Sequence, residues 1–223
     1  METYRVLLDA NILMSKTLRD WILKSALYSQ GRFQVLISQG ILDEWGNHTR
    51  NNNPTLDDGV IEKWRRQIIE SCGGNDCILR GFPVHEIPDY PDPEDLHIHA
   101  AAIAGDVDAL ATNDKALIAY GRSEAGENLG YDIMSADNIL MQLVDFTVPD
   151  FWVQLYLSEV RYWLDRQGNV DLISQLRQLQ AEKFADYLLK NVVNIPRVRV
   201  TVDRMIAKRC CGLCPTCRNA LHI

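Results

Sequence analysis

"RVLLDANILM", residues 5–14, is the stretch on which the fold turns. Val6, Leu7 and Leu8 form a short apolar run, as expected of a strand buried on both faces. Asp9 ends that run, and Ile12 to Met14 resume its apolar character. A charge at the end of a buried strand is either a turn or helix-cap acid, or a ligand for a cation that other carboxylates also hold. Outward from here, similar short runs recur as "FQVLIS" (33–38), "DALATND" (108–114) and "YDIMS" (131–135). Between them lie stretches of helical period. Residues 17–29 carry Leu18, Trp21, Ile22, Ala26 and Tyr28 on one stripe, and Ser38 is a candidate N-cap for "QGILDEWGNH". "LDDGVIEKWRRQIIESC", "DLHIHAAAIAG" and "KALIAYG" complete the series, with a break at "NNNPT" (51–55) and a turn-rich approach at "PDYPDPED". Strands alternating with helices predict an α/β fold with a parallel sheet flanked by helices.

Beyond about residue 140 the pattern changes. "ADNILMQLV", "PDFWVQLYLSEVRYWLDRQ" and "DLISQLRQLQAEKFADYLLK" are helical by period, with Pro149 suited to a first helical turn. "VRVTV" (198–202) reads as a strand. The expected organisation is an α/β domain over 1–140, a helical extension over 141–190, and a basic, cysteine-rich tail over 191–223.

Length and composition bound the function. With 223 residues and 47% hydrophobic content the chain can bury one good core and a smaller appendage. "METYRVLLDA" lacks the basic and apolar regions of a secretory leader, and no apolar run approaches a membrane span, so neither is expected. Four of the six cysteines crowd into residues 210–217, unlike a disulfide framework, and a reducing cytoplasm is the expected location. The charge is divided. Residues 197–218 carry six basic residues against Asp203, a net +5 that leaves −12 on the remainder of a chain of net charge −7.

In an open parallel sheet, functional groups gather at the carboxyl ends of the strands. Asp9 ends the first strand, Asp114 ends "ALATN", Asp95 opens the helix "DLHIHAAA", and Glu44 lies inside the helix that Ser38 caps. Each alone has an ordinary reading as a turn, cap or solvated acid. Four carboxylates from four segments would repel one another unless a cation held them. Hard divalent cations take such oxygen ligands, and Mg²⁺ or Mn²⁺ among them suits phosphodiester hydrolysis. Asn11 either orients Asp9 or shapes its turn. Thr112 and Asn113 either support a ligand or cap the next helix, and Ser38 is first a cap. His97 and His99 do not share a helix face. His97 is a candidate substrate or supporting residue, with a structural role the plainer reading for both histidines. Asp92, Asp106 and Asp108 read as loop acids.

These stretches, "LLDANIL", "ISQGILDEW" and "DPEDLHIHAAAIAGDVDALATND", resemble the PIN-domain ribonucleases, and within them the VapC-type toxins of bacterial toxin–antitoxin pairs. "TLRDWIL" and the helices ending "LQAEKFADYLL" resemble a longer toxin subfamily with a C-terminal helical region. The resemblance implies a PIN-like sheet and a Mg²⁺- or Mn²⁺-dependent endoribonuclease with Asp9, Glu44, Asp95 and Asp114 as ligands. Asp95 rather than Asp92 or Glu94 takes the third position. It also implies RNA as substrate, products with 5′-phosphate and 3′-hydroxyl ends, an antitoxin partner and a homodimer. Two other readings compete. A haloacid-dehalogenase-like phosphatase wants a second Asp where this chain has Asn11. A non-catalytic nucleic-acid-binding regulator on a disabled scaffold would lack one or more of the acids. The tail "KRCCGLCPTCRNALHI" lies outside the resemblance. Cys211, Cys214 and Cys217, with Cys210 and His222 as further candidates, are spaced for a Zn²⁺ knuckle, and the bland alternative is a flexible basic tail with free thiols.

Overall fold

The computed structural model describes residues 3–84, 87, 90–167 and 170–213, with side chains up to residue 208. Contacts divide the chain into two compact units, Met1–Thr147 and Val148–Ile223.

In the first unit, β1 (Tyr4–Leu8) leads through Asp9 into a short helix, α1 (Ala10–Met14), and then α2 (Lys16–Tyr28). β2 (Phe33–Ser38) follows, then α3 (Gln39–Asn52) and α4 (Asp58–Cys72). Gly73, in the left-handed region at φ 114°, ends α4 and returns its amide to Glu70 and Ile69. After β3 (Ile78–Leu79) come α5 (Leu96–Ala104), β4 (Ala109–Ala111), α6 (Lys115–Gly121), α7 (Glu124–Glu127), β5 (Asp132–Met134) and α8 (Ala136–Phe146). The five strands form one parallel sheet in the order β3-β2-β1-β4-β5. This is the predicted α/β architecture. Its centre is apolar throughout: Val6, Leu7 and Leu8 in β1 and Ala109, Leu110 and Ala111 in β4 have no exposed surface. In the register of β1 on β4, Val6 lies opposite Ala109, Leu7 opposite Leu110 and Leu8 opposite Ala111. Helices α2 to α5 pack on β2, and α6 packs on β5. Cys72 and Cys77 are buried free thiols.

The strand order decides where a site can form. From β1 the chain moves outward to β2 and β3, then returns across β1 to lay down β4 and β5. The reversal falls between β1 and β4, and in open α/β sheets the crevice at such a reversal is where ligands bind.

The second unit contains α9 (Pro149–Gln167), α10 (Leu172–Gln178), α11 (Glu182–Leu188), a π-helical turn at Leu189–Val193, and α12 (Pro196–Leu213). Pro149 opens α9, where its missing amide costs nothing. Trp152, Leu176, Phe184 and Leu188 have no exposed surface, and the Trp152 and Phe184 rings meet edge to face at 5.1 Å. The periodic run 171–190 divides at Gln180, whose left-handed backbone (φ 61°) separates α10 from α11. "VRVTV" is not a strand: it lies inside α12. β-Branched residues disfavour a helix by only tenths of a kcal/mol each (~0.5). Burial of Val198 on the side facing its neighbours, with Pro196 at the first helical position, outweighs that preference. No helix among the described residues is long and apolar enough to cross a membrane.

Candidate active site

The register of β1 on β4 places Asp9 and Thr112 side by side, one residue beyond the last pair, Leu8 and Ala111. The Asp9 amide bonds the Ala111 carbonyl at 3.0 Å, which holds the residue at the end of the ladder. Asp9 has the backbone of an N-cap for α1, but its side chain makes no capping bond. The carboxylate instead accepts from the Thr112 hydroxyl at 2.7 Å and from the Asn11 amide. The Thr112 hydroxyl also accepts from Asn11 Nδ2 at 2.9 Å and from the Asp114 amide at 3.0 Å. Asn11 Oδ1 takes the Asn113 amide, and Asn113 Oδ1 takes the amide of Ala136 at the start of α8. Asn11, Thr112 and Asn113 therefore form one network around a single carboxylate.

Asp9 is 5% exposed. Burial pushes its pKa up to about 6. Glu44 and Asp95 add to the rise, while the Thr112 hydroxyl and the Ala10 amide oppose it. The acids from the other segments are thus close enough for their charge to be felt at Asp9. Asp95 shows the same pattern. Its carboxylate makes no capping bond at the start of α5, and its pKa is raised by partial burial, then by Asp92, Glu44 and Asp114, against a lowering by His97.

Glu44 projects from α3, whose start is fixed by the fully buried Ser38 accepting from the Ile41 amide at 3.1 Å. Ser38 therefore acts as the cap. Glu44 Oε2 is buried and has no hydrogen-bond partner. His97 Nε2 stands 3.7 Å from it, and His48 Nε2 lies 3.5 Å from Oε1. The other nitrogen of His97, Nδ1, is 2.9 Å from the Glu94 carbonyl, which can only accept, so Nδ1 carries the proton. His97 packs over Gly40: a Cβ there would come within 3.1 Å of the imidazole.

Asp114 is exposed and commits Oδ1 to the Leu117 amide at 2.8 Å as the N-cap of α6. The charge of Asp114 adds to the raised pKa of Asp95. Asp92 caps the turn Pro93–Asp95 through the Glu94 amide, which leaves Asp95 as the acid without a capping bond in that stretch. His99 is buried, with Nδ1 2.7 Å from the Tyr131 hydroxyl, a structural position. The candidate zinc ligands Cys214, Cys217 and His222 lie outside the described residues, and of Cys210 and Cys211 only the backbone, at the end of α12, is described.

Among the described residues no three His, Cys, Asp or Glu side chains stand close enough to form a closed metal-binding cluster. The donor set nonetheless fits a hard divalent cation. It consists of oxygens, one of them a buried carboxylate oxygen with no hydrogen-bond partner, and the pKa of Asp9 and of Asp95 is raised first by burial and then by neighbouring acids.

Three neighbours escape the sequence patterns. Tyr90, in the loop before α5, is buried, and burial pushes its pKa up, with Tyr131 and then Asp95 and Asp9 adding to the rise. His48 sits one turn after Glu44, an i, i+4 pair that helical spacing alone could have suggested. Gly40 matters only because of what lies above it. A separate hollow of about 270 Å³ between α2 and α4, lined by Asp20, Lys24, Trp64 and Gln67 among others, shares no residue with this site.

Neither the curated proteins nor the solved structures include a significant match to this chain. The profile of the PIN domain matches residues 5–116, half of the chain, and spans Asp9, Glu44, Asp95 and Asp114. With the five-stranded parallel sheet and the acids at its carboxyl edge, this chain belongs to the PIN-domain family.

Proposed function

We propose that this PIN-domain protein is a divalent-metal-dependent endoribonuclease and the toxin of a type II toxin–antitoxin pair. Family membership supports nuclease activity in general. The observation that supports metal dependence is Asp9: a buried carboxylate, held by Thr112 and Asn11, beside Glu44 with an oxygen that no hydrogen bond satisfies. The Asp9 carboxylate caps no helix, and its ionisation is opposed by burial and by two neighbouring acids.

Asp9, Glu44, Asp95 and the outer oxygen of Asp114 would hold one or two Mg²⁺ or Mn²⁺ ions. When bound, these supply positive charge that offsets the clustered acids and makes a water more acidic. The chain's own residues do the rest. Thr112 and Asn11 fix the Asp9 carboxylate so that it does not rotate away. Glu44 lies on α3 near His97 and His48, and the Glu94 carbonyl orients the His97 ring through Nδ1. In the hydrolysis, a water oxygen joins phosphorus, the bond from phosphorus to O3′ breaks, and the products carry a 5′-phosphate and a 3′-hydroxyl. An unpaired segment of RNA is the substrate class that reaches such an edge.

The test is cleavage of a mixed RNA pool by the purified protein with Mg²⁺, Mn²⁺ or EDTA, beside Asp9→Asn and Asp95→Asn. Cleavage that needs both the metal and the two acids supports the reading. A folded protein that cuts nothing with either metal overturns it in favour of a nucleic-acid-binding scaffold. Growth arrest on expression, relieved by Asp9→Asn, tests the toxin assignment separately.

A further inference from the structure

We infer that the outer face of α12 binds the phosphodiester backbone of single-stranded RNA and tethers substrate to a chain whose candidate active site is itself acidic. This rests on the nuclease reading above. α12 carries five basic residues against Asp203, a net +4, while the other residues of the chain sum to −11. Val198 is buried at 1% exposure and marks the side of the helix that packs on α9 and the π-helical turn. On the outside, Arg199, Arg204 and Lys208 are all exposed. Arg197 bonds Asp150 at 2.8 Å, and Arg199 donates to the Asn194 side chain. Arg204 and Lys208 have no ion-pair partner among the described residues.

Arg204 and Lys208 are one turn apart and so share a face, with Val200 one turn before them. Val200 and Ile206 are 48% and 41% exposed, and no aromatic residue lies in α12. A surface of separated cations without rings to stack on reads the charged backbone and not the bases. A membrane surface would call for a broad apolar stripe opposite the charges, and two aliphatic side chains do not supply one. A polyanion is the partner this charge pattern complements. It is also what the proposed reaction requires, because acids such as Asp9 and Asp95 repel phosphate until a cation is bound.

The experiment measures binding of fluorescein-labelled oligo(U) to the full chain in EDTA, so that no cleavage intervenes. The variant pair is Arg204→Glu/Lys208→Glu, with the milder Arg204→Gln/Lys208→Gln, and thermal melting establishes that each is folded. Lys63→Glu/Arg66→Glu, exposed on α4, is the control of equal charge change. The double reversal in α12 is expected to weaken binding about tenfold or more, and the glutamine pair to lower the slope of log K against log salt by about two. The α4 control is expected to change binding by less than about threefold. Equal losses in the α12 and α4 variants, or no loss in either, would overturn the tether. A chain that binds oligo(U) through α12 but cuts no RNA with metal overturns the nuclease reading and leaves this binding surface standing. A chain that cuts RNA with unchanged efficiency in both α12 variants overturns the tether alone.

Discussion

The carboxyl edge of the sheet and the outer face of α12 handle like charges in opposite ways. At the edge, parallel strands bring Asp9 to Thr112 from 103 positions away in sequence, and α3 and α5 add Glu44 and Asp95. The charges converge, and burial together with neighbouring acids opposes the ionisation of Asp9 and Asp95. Along α12, Arg199, Arg204 and Lys208 come from one continuous stretch, stay in solvent and keep their distance. A sheet edge concentrates charge on a point, where it suits a small cation, whereas a single helix spreads charge over a line, where it suits a polymer. The first arrangement costs stability and the second costs almost none.

The largest expected effect comes from neutralising the point. Asp9→Asn should abolish metal-dependent cleavage, a loss of several kcal/mol in transition-state stabilisation, or roughly a thousandfold in rate. The same change should stabilise the metal-free fold. The pKa of Asp9 is raised in the folded state, so its contribution is present in full at acidic pH and is lost as pH rises through about 6. Above that pH the asparagine variant is expected to be more stable by about 2 to 3 kcal/mol in EDTA, read as a higher melting temperature. Added Mg²⁺ should raise the melting temperature of the parent protein and not that of the variant. If the variant melts lower than the parent at pH 8 in EDTA, the carboxylate is a structural group and the contrast between edge and helix collapses.

Next in size is the hub. Thr112→Val leaves Asp9 and the Asp114 amide without the hydroxyl and should cost about 1 to 3 kcal/mol, with cleavage falling by about tenfold or more. Thr112→Ser keeps the hydroxyl and should restore most of the activity. Gly40→Ala separates support from stability. Alanine favours the helix by about 1 kcal/mol, so melting should hold or rise, while crowding of His97 lowers cleavage several-fold. The smallest effect belongs to α12. Val198→Ala, at the buried position, should cost about 1 to 2 kcal/mol, whereas Val200→Ala, at the exposed one, should stay within about 0.5 kcal/mol. Equal costs would mean that α12 has no distinct inner and outer face at these positions.

What a sequence discloses follows the same divide. The α/β class was legible because buried strands and amphipathic helices differ in period, and because Asp9 interrupts an apolar run where a strand must end. The placement of Thr112 beside Asp9 was less accessible. It depends on the register of two strands, which no local pattern specifies. Tyr90 comes from an irregular loop and has no periodic signature at all. The reading of "VRVTV" as a strand failed for a different reason. Three valines around a threonine express a local preference worth tenths of a kcal/mol, and burial of Val198 overrides it. The split of α10 from α11 turns on the backbone of Gln180, a residue that gives no composition signal.

The network around Thr112 has a consequence for how the site can be observed. The amides of Asn113, Asp114 and Ala136 are held by the side-chain oxygens of Asn11, Thr112 and Asn113 rather than by the sheet. Their exchange with deuterated solvent therefore follows the opening of these side chains, whereas the amides of β1 and β4 follow the opening of the sheet. Three backbone protons thus act as a built-in gauge of whether the Asp9 cradle is assembled, readable without substrate, metal or turnover.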